Sequence, residues 1–295
     1  MRELARELLA SGKVSLVIGP GTGTLPTMAR ATFARTPEEA DQLQFSPAPI
    51  ENLAGYLHWA KRDQQVAFIV RGCEGRALIE CIAERQFARD QITIITYPCP
   101  GMVDPAKVAR LLEIAPEAIE ALAVEGLTLK VTVGGAVKDL PLADVWQNNC
   151  RECNLRLSPE ADHVLEGPAY EPVTEEFSPI TAVEALPAQE RWQLFQSIAE
   201  RCLRCYACRN ACPLCYCDEC FAGCKSPVYV RNASEPSDNH VYHILRALHL
   251  AGRCVDCGAC ARACPVGIDL RLFNKRLEET SLTAFNYRSG SASDQ

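Results

Sequence analysis

No stretch of this 295-residue chain reaches the roughly 18 consecutive apolar residues that a membrane span requires. The opening Met1-Arg2-Glu3-Leu4-Ala5 lacks the long apolar core of a secretory signal. The five histidines form no zinc-protease motif. No acid-base or nucleophilic constellation of the kind an organic substrate site needs stands out. The glycine-rich stretch Gly19-Pro20-Gly21-Thr22-Gly23 has Thr24 where a dinucleotide fingerprint needs its last glycine, and no Lys-Ser/Thr pair follows as in a phosphate loop. It reads as a tight turn after a strand, with a flavin-phosphate contact through Gly19, Gly21 and Gly23 as the alternative. These absences leave a protein that is soluble, or held at a membrane only by partners.

Cysteine is what the chain has in excess. Seventeen in 295 residues would suggest a disulfide scaffold in a small secreted protein, but this chain has length enough for proper cores and its cysteines stand at ligand spacings. Reduced thiols imply a cytoplasmic setting. Two runs are near copies: Cys202-x2-Cys205-x2-Cys208-x3-Cys212-Pro213 and Cys254-x2-Cys257-x2-Cys260-x3-Cys264-Pro265. Each is the bacterial-ferredoxin run, whose first three thiolates hold one [4Fe-4S] cluster while the fourth reaches across to the other. The crossed rule assigns Cys202, Cys205, Cys208 and Cys264 to one cluster and Cys254, Cys257, Cys260 and Cys212 to the second. Zinc sites usually draw on two separated CxxC-type pairs, which is a different pattern.

Charge is unevenly shared. The net value is −7, yet residues 191–295 hold 13 Lys and Arg against 10 Asp and Glu. That split does not point to nucleic acid. Oxidised four-thiolate cubanes are anionic, so Arg204, Arg209, Arg253 and Arg262, within or beside the runs, are expected to offset them.

The first half reads as α/β (α+β) with a mixed sheet. Apolar, strand-like runs over Val14–Ile18, Val66–Val70, Ile92–Thr96 and Leu127–Val133 alternate with helical patterns over Ile50–Lys61, Arg76–Arg85 and Pro105–Ile114. Proline and acid mark a linker over 166–190, so that residues 1–165 form one domain. Residues 191–295 form a ferredoxin-like dicluster domain embedded in helices at Arg191–Arg201, from Ser237 or Asp238 to Leu250, and over Leu270–Glu279.

Two further cysteine groups follow. Cys73 and Cys99 each stand just past a predicted strand, where open sheets bind ligands. With the Cys150-x2-Cys153 pair they would make a third four-thiolate site. Each has a bland reading as a small buried residue or a lone zinc or redox pair. Cys215, Cys217, Cys220 and Cys224 are expected to hold a fourth cluster or a zinc ion, or to pack as small apolar residues around the first cluster. Cys81, on a predicted helix, is expected in the core. His240 and His243 are expected at the surface or as caps.

Together these segments resemble the beta subunits of coenzyme F-420 hydrogenases and dehydrogenases, including the formate dehydrogenase type. The resemblance runs through the Gly-Pro stretch and Phe45-Ser46-Pro47, then Cys73, Cys99, Cys150 and Cys153 followed by Ala161-Asp162, and into Cys205-Tyr206-Ala207-Cys208-Arg209-Asn210-Ala211-Cys212-Pro213. It implies FAD beside the Cys73/Cys99/Cys150/Cys153 site and electron passage between a deazaflavin hydride carrier and iron-sulfur clusters. The family's glycine-rich segment ahead of the first helix has no counterpart before Arg2-Glu3-Leu4, which favours a relay, with any flavin borrowed from a neighbouring subunit. The leading expectation is therefore an electron-transfer subunit of a multi-subunit oxidoreductase. It would work between a hydride-, formate- or hydrogen-linked partner and a second one such as a heterodisulfide-reductase-type subunit. The alternatives are a self-sufficient FAD enzyme acting on reduced deazaflavin or NAD(P)H, and an adaptor that its clusters merely stabilise.

Overall fold

The computed structural model describes residues 1–60, 63–174 and 176–292. The chain divides into two compact units, Met1–Thr174 with Gly290–Gln295, and Glu175–Ser289.

In the first unit the most apolar runs become the centre of a five-stranded mixed sheet. Strands β1 (Leu16–Thr22), β2 (Ala29–Ala34), β3 (Val66–Val70), β4 (Ile92–Thr96) and the two-residue β8 (His163–Val164) lie in the order β2-β1-β3-β4-β8. Only the β1/β2 pair is antiparallel. Every residue of β3 is buried, as a strand covered on both faces should be. Helix α1 (Arg2–Ala10) packs Ala5 and Leu8 into a core with Val17, Leu43, Ala67 and Ile69. Helix α2 (Gly72–Ala83) follows β3 directly, with Cys81 fully buried as expected, and α3 (Pro105–Leu112) is capped by the Asp104 carboxylate accepting from the Ala106 N–H.

Three expectations change here. The Gly19–Gly23 stretch is no turn: Gly19 and Gly21 lie inside β1, paired to Thr32 and Arg30 of β2. A Cβ on Gly19 would stand 2.8 Å from Leu43 Cδ2, and one on Gly21 would collide with the Thr32 hydroxyl, so close packing accounts for both glycines. The helix expected over 50–61 is a 3-10 helix over Leu53–Trp59, started by Asn52 accepting from the Ala54 N–H at 3.0 Å; Lys61 lies outside the described residues. The run at 127–133 leaves the main sheet. It forms β6 (Thr128–Val133) in an antiparallel meander with β5 (Ala121–Glu125) and β7 (Ala136–Pro141). Its alternating Leu129 and Val131 bury one face only, onto Val103, Val108 and Val145. Short helices α4 (Leu142–Val145) and α5 (Asn148–Arg151) then return the chain toward β4.

The second unit is helical. It comprises α6 (Ser178–Glu184), α7 (Ala188–Arg201), α8 (Ala207–Asn210), α9 (Pro236–His249), α10 (Ala259–Arg262) and α11 (Arg271–Phe285). Helix α6 and the start of α7 occupy part of the proline-marked stretch, because Pro179 sits in the first turn of α6, where its missing N–H costs nothing. Helix α9 starts at Pro236, and Asp238 turns instead to the guanidinium and backbone N–H of Arg231. The core of this unit mixes Ile198, Val230, Tyr242, Ile268 and Leu270 with Cys208 and Cys260.

Candidate metal centres

The two ferredoxin runs share one backbone. In the first, Arg204 (φ +47°) and Tyr206 (φ +61°) take left-handed conformations and α8 follows. At the equivalent places of the second, Asp256 (φ +47°) and Gly258 (φ +71°) do the same, and α10 follows. The left-handed residue aims its N–H back at the run's leading sulfur: Arg204 N donates to Cys202 Sγ at 3.3 Å, and Asp256 N to Cys254 Sγ at 3.5 Å. Ile268 N likewise donates to Cys264 Sγ at 3.3 Å. Such donors stabilise a ligating thiolate and help set a cluster's potential.

The runs also cross. Cys202, Cys205, Cys208 and Cys264 line one small cavity, although 55 residues lie between the third and the fourth. Burial raises the Cys202 thiol above its ordinary range, with Cys208, Cys264 and Cys205 as charged neighbours. Burial pushes Cys260 up to about 12, Arg246 opposes this, and Cys212, Cys257 and Cys208 add to it. Cys254 is raised by burial and by Asp256, Glu278 and Cys260. A metal bound by such thiols would have to displace their protons. Among the described residues no three His, Cys, Asp or Glu side chains converge on a single-ion position. Ligands around a four-iron body stand farther apart than the four sulfurs around one zinc.

Arg246 is a charged residue beside the runs that sequence reasoning missed. It is 5% exposed, lies among Cys212, Cys260, Cys215 and Cys208, and donates from Nη2 to the Cys208 carbonyl at 3.1 Å, while its Nε has no acceptor. Of the four arginines expected to balance cluster charge, Arg204 instead spends its Nη2 on the Arg231 and Ala233 carbonyls. Arg209 and Arg253 lie over the Tyr206 and Tyr216 rings, and Arg262 donates to the Cys257 carbonyl at 2.9 Å. His243 corrects another expectation: it is 3% exposed, and burial, with Arg246 and His240, pushes its imidazole down to about 4. His240 is half-buried against the Phe195 ring, 4.6 Å between centroids.

In the first unit the β3/β4 register pairs Val70 with Thr96, so the residues after each strand emerge side by side at one edge. Cys73 follows from β3 on the first turn of α2, and Cys99 from β4. Cys150 arrives on α5, which is tied to the segment after β4: Gln147 N donates to the Met102 carbonyl, Met102 N to Cys150 Sγ at 3.2 Å, and Cys99 N to the Arg156 carbonyl. The Trp146 indole donates to the Pro100 carbonyl at 2.7 Å, and Arg156 covers its ring. Burial pushes Cys99 up to about 12, countered by Arg71 and the Gly101 N–H, with Cys150 and Cys153 raising it further. Arg71 feels Cys73 as well, so one buried guanidinium touches the fields of both strand-end thiols. The Glu74 carboxylate holds it, Nη2 to Oε1 at 2.7 Å, and also accepts from the Leu53 N–H at 3.3 Å. Arg71 and Glu74 were absent from the expected site; a lone Arg-Gly-Cys-Glu string carries no distinctive spacing.

Cys215, Cys217 and Cys220 line a separate cavity of about 400 Å³ in the second unit, with Cys224 beyond it next to Cys220. No helix among the described residues is long and apolar enough to cross a membrane.

No protein-family model matches the chain. The F420-dependent formate dehydrogenase subunit beta of Methanocaldococcus jannaschii is 32% identical over 96 residues, 32% of this chain but 24% of that protein, so the match spans only about a quarter of that relative. The F420-dependent formate dehydrogenase 1 subunit beta of Methanococcus maripaludis is 23% identical over 314 aligned positions, covering 84% of this chain and 79% of that one. Among solved structures, a chain of the F420-reducing [NiFe] hydrogenase complex from Methanosarcina barkeri gives a TM-score of 0.47 at 14% identity over 68% of this chain and 86% of that one, too slight a likeness to carry a fold assignment. With its strand-end cysteines and paired C-terminal runs, the chain is similar in sequence to the beta subunits of F420-dependent formate dehydrogenases.

Proposed function

We propose that this chain is the iron-sulfur electron-transfer subunit of a multi-subunit cytosolic oxidoreductase, with a dicluster ferredoxin-type unit over residues 191–295. The observation that carries the reading is the duplicated loop, with matched left-handed residues, matched N–H donors to sulfur and Cys264 in one cavity with Cys202, Cys205 and Cys208. Bound there, [4Fe-4S] clusters would supply one-electron carriage, which suits a chain whose distinctive residues are cysteines at ligand spacings. The chain's part is to hold and tune. Cys254, Cys257, Cys260 and Cys212 form the second ligand set, Arg246 sets positive charge between the two, and Tyr242, whose hydroxyl lies 3.5 Å from Cys208 Sγ, helps exclude water. Cys73, Cys99, Cys150 and Cys153 form a third set that Arg71 balances.

The names of the relatives support partners in a hetero-oligomeric complex. One would be a formate-, hydrogen- or hydride-linked subunit, the other an acceptor such as a heterodisulfide-reductase-type subunit. FAD fits near the third site by family, though Gly19 and Gly21 are explained by packing. The test is iron, acid-labile sulfide and flavin content of the anaerobically purified chain, followed by reduction with dithionite and assay with reduced deazaflavin and NADH. The chain should bleach with dithionite and turn over neither hydride donor until partner subunits are added. Steady turnover by the chain alone, with flavin bound, would replace this reading with the flavoenzyme one.

A further inference from the structure

Buried free cysteine is the usual state of a thiol that only packs. Cys215, Cys217, Cys220 and Cys224 do not fit that description: Cys217 is exposed and the other three are partly so. Four accessible thiols within ten residues would be an oxidation hazard unless something ligates them. Three of them face the same cavity of about 400 Å³, whereas a water molecule takes up roughly 30 Å³ of liquid. Arg209, Arg246 and Arg253 line that cavity too, and the unpartnered Nε belongs to the most buried of the three. Asp218 and Glu219 stand at it as the only carboxylates. A void of this size ringed by thiols and guanidiniums suits an anionic body larger than one ion. A zinc site would need its ligands drawn to a single point, and among the described residues none are.

We propose that Cys215, Cys217, Cys220 and Cys224 ligate an additional [4Fe-4S] cluster in this cavity. The site adjoins the dicluster, because Cys215 is hydrogen-bonded to Cys212, the ligand that crosses to the Cys254 set. Arg246 serves both, standing against Cys212 and Cys260 on one side and Cys215 on the other. With Cys217 at the surface, the cluster held here would be the contact through which the dicluster meets a partner.

The inference rests on the reading of the chain as an iron-sulfur protein, and the test separates the two. The full chain is purified without oxygen beside a Cys217→Ser/Cys220→Ser double variant, and iron, sulfide and zinc are counted while the dithionite-reduced proteins are compared by electron paramagnetic resonance. Four sites predict about sixteen irons in the wild type and about twelve in the variant, with one cluster signal lost and the others unchanged. The wild-type count stands as evidence even if the variant folds poorly. Twelve irons in both proteins, or loss of one zinc in place of about four irons, overturns the additional cluster and leaves the electron-transfer reading intact. An iron-free wild type overturns both.

Discussion

The two units gather thiols by opposite strategies. In the second, cysteines come from two short loops that each carry their own geometry: left-handed residues at fixed places, an N–H returned to the first sulfur, a one-turn helix after it. In the first, no two of Cys73, Cys99 and Cys150 share a loop. The parallel register of β3 and β4 juxtaposes the first two, and hydrogen bonds between the segments around Met102 and Gln147 bring in the third. A loop-encoded site tolerates change in the surrounding fold. One assembled by a sheet depends on every buried contact that fixes the strands' ends.

The sharpest way to break that contrast is Glu74→Ala. It leaves Arg71 charged and buried with its carboxylate gone, a change expected to cost about 3–5 kcal/mol. Urea unfolding should show the loss, and iron should leave the first unit while the second keeps its own. Equal loss from both units would contradict the contrast. Next in size is Cys212→Ala. The crossed assignment predicts loss of about four irons and of the signal belonging to the Cys254, Cys257 and Cys260 cluster. Loss confined to the Cys202 cluster would show that each run serves itself.

A smaller effect distinguishes the two loops from each other. Gly258 at φ +71° and Tyr206 at φ +61° occupy the same place, but only the glycine is free of Cβ strain there. Gly258→Ala should destabilise by about 1–2 kcal/mol, and Tyr206→Gly should relieve strain of that order while losing the Tyr242 and Arg209 contacts. Thermal melts of the two variants check this; equal shifts of the same sign would count against the equivalence of the loops. The smallest effect is in acid. Desolvation beside the Phe87 ring holds the largely exposed His58 imidazole of the first unit below its ordinary 6.5. The unfolded chain then binds the proton more readily, so this stability is present above 6.5 and is lost as the pH falls through the folded value. His58→Gln should flatten the stability profile just below pH 6.5, where a slope unchanged by the substitution would rule His58 out as its source.

Legibility in the sequence followed the same division. The two cysteine runs could be read outright because their spacing is local, and β3 and β4 because short runs rich in Val, Ile and Thr read as buried strands. The strand-end rule found Cys73 and Cys99. It could not find Arg71, whose role depends on Glu74 and on the neighbouring strand. Gly19 and Gly21 misled because glycine and proline are turn residues by local preference, whereas here Leu43 and Thr32 fill the space side chains would need. Arg246 was hidden for a similar reason. On α9 the face bearing Asn239, Tyr242, His243 and Arg246 is polar by composition and buried in fact, since what it packs against is a set of cysteines. The meander of β5, β6 and β7 was only partly visible, its outer strands being short and largely exposed.

The return of the chain to the first unit after residue 289 bears on the order of biosynthesis. Gly290 N donates to a buried Glu80 carboxylate oxygen at 2.7 Å, and a Cβ there would collide with the Arg76 carbonyl. This contact clamps α2, the helix whose first turn carries Cys73, and it is translated after all the cysteines of the second unit. Domains generally fold as they emerge from the ribosome. The Gly290 tie to Glu80 can therefore form only after the second unit has been made, so α2, which carries Cys73, gains this contact late in synthesis.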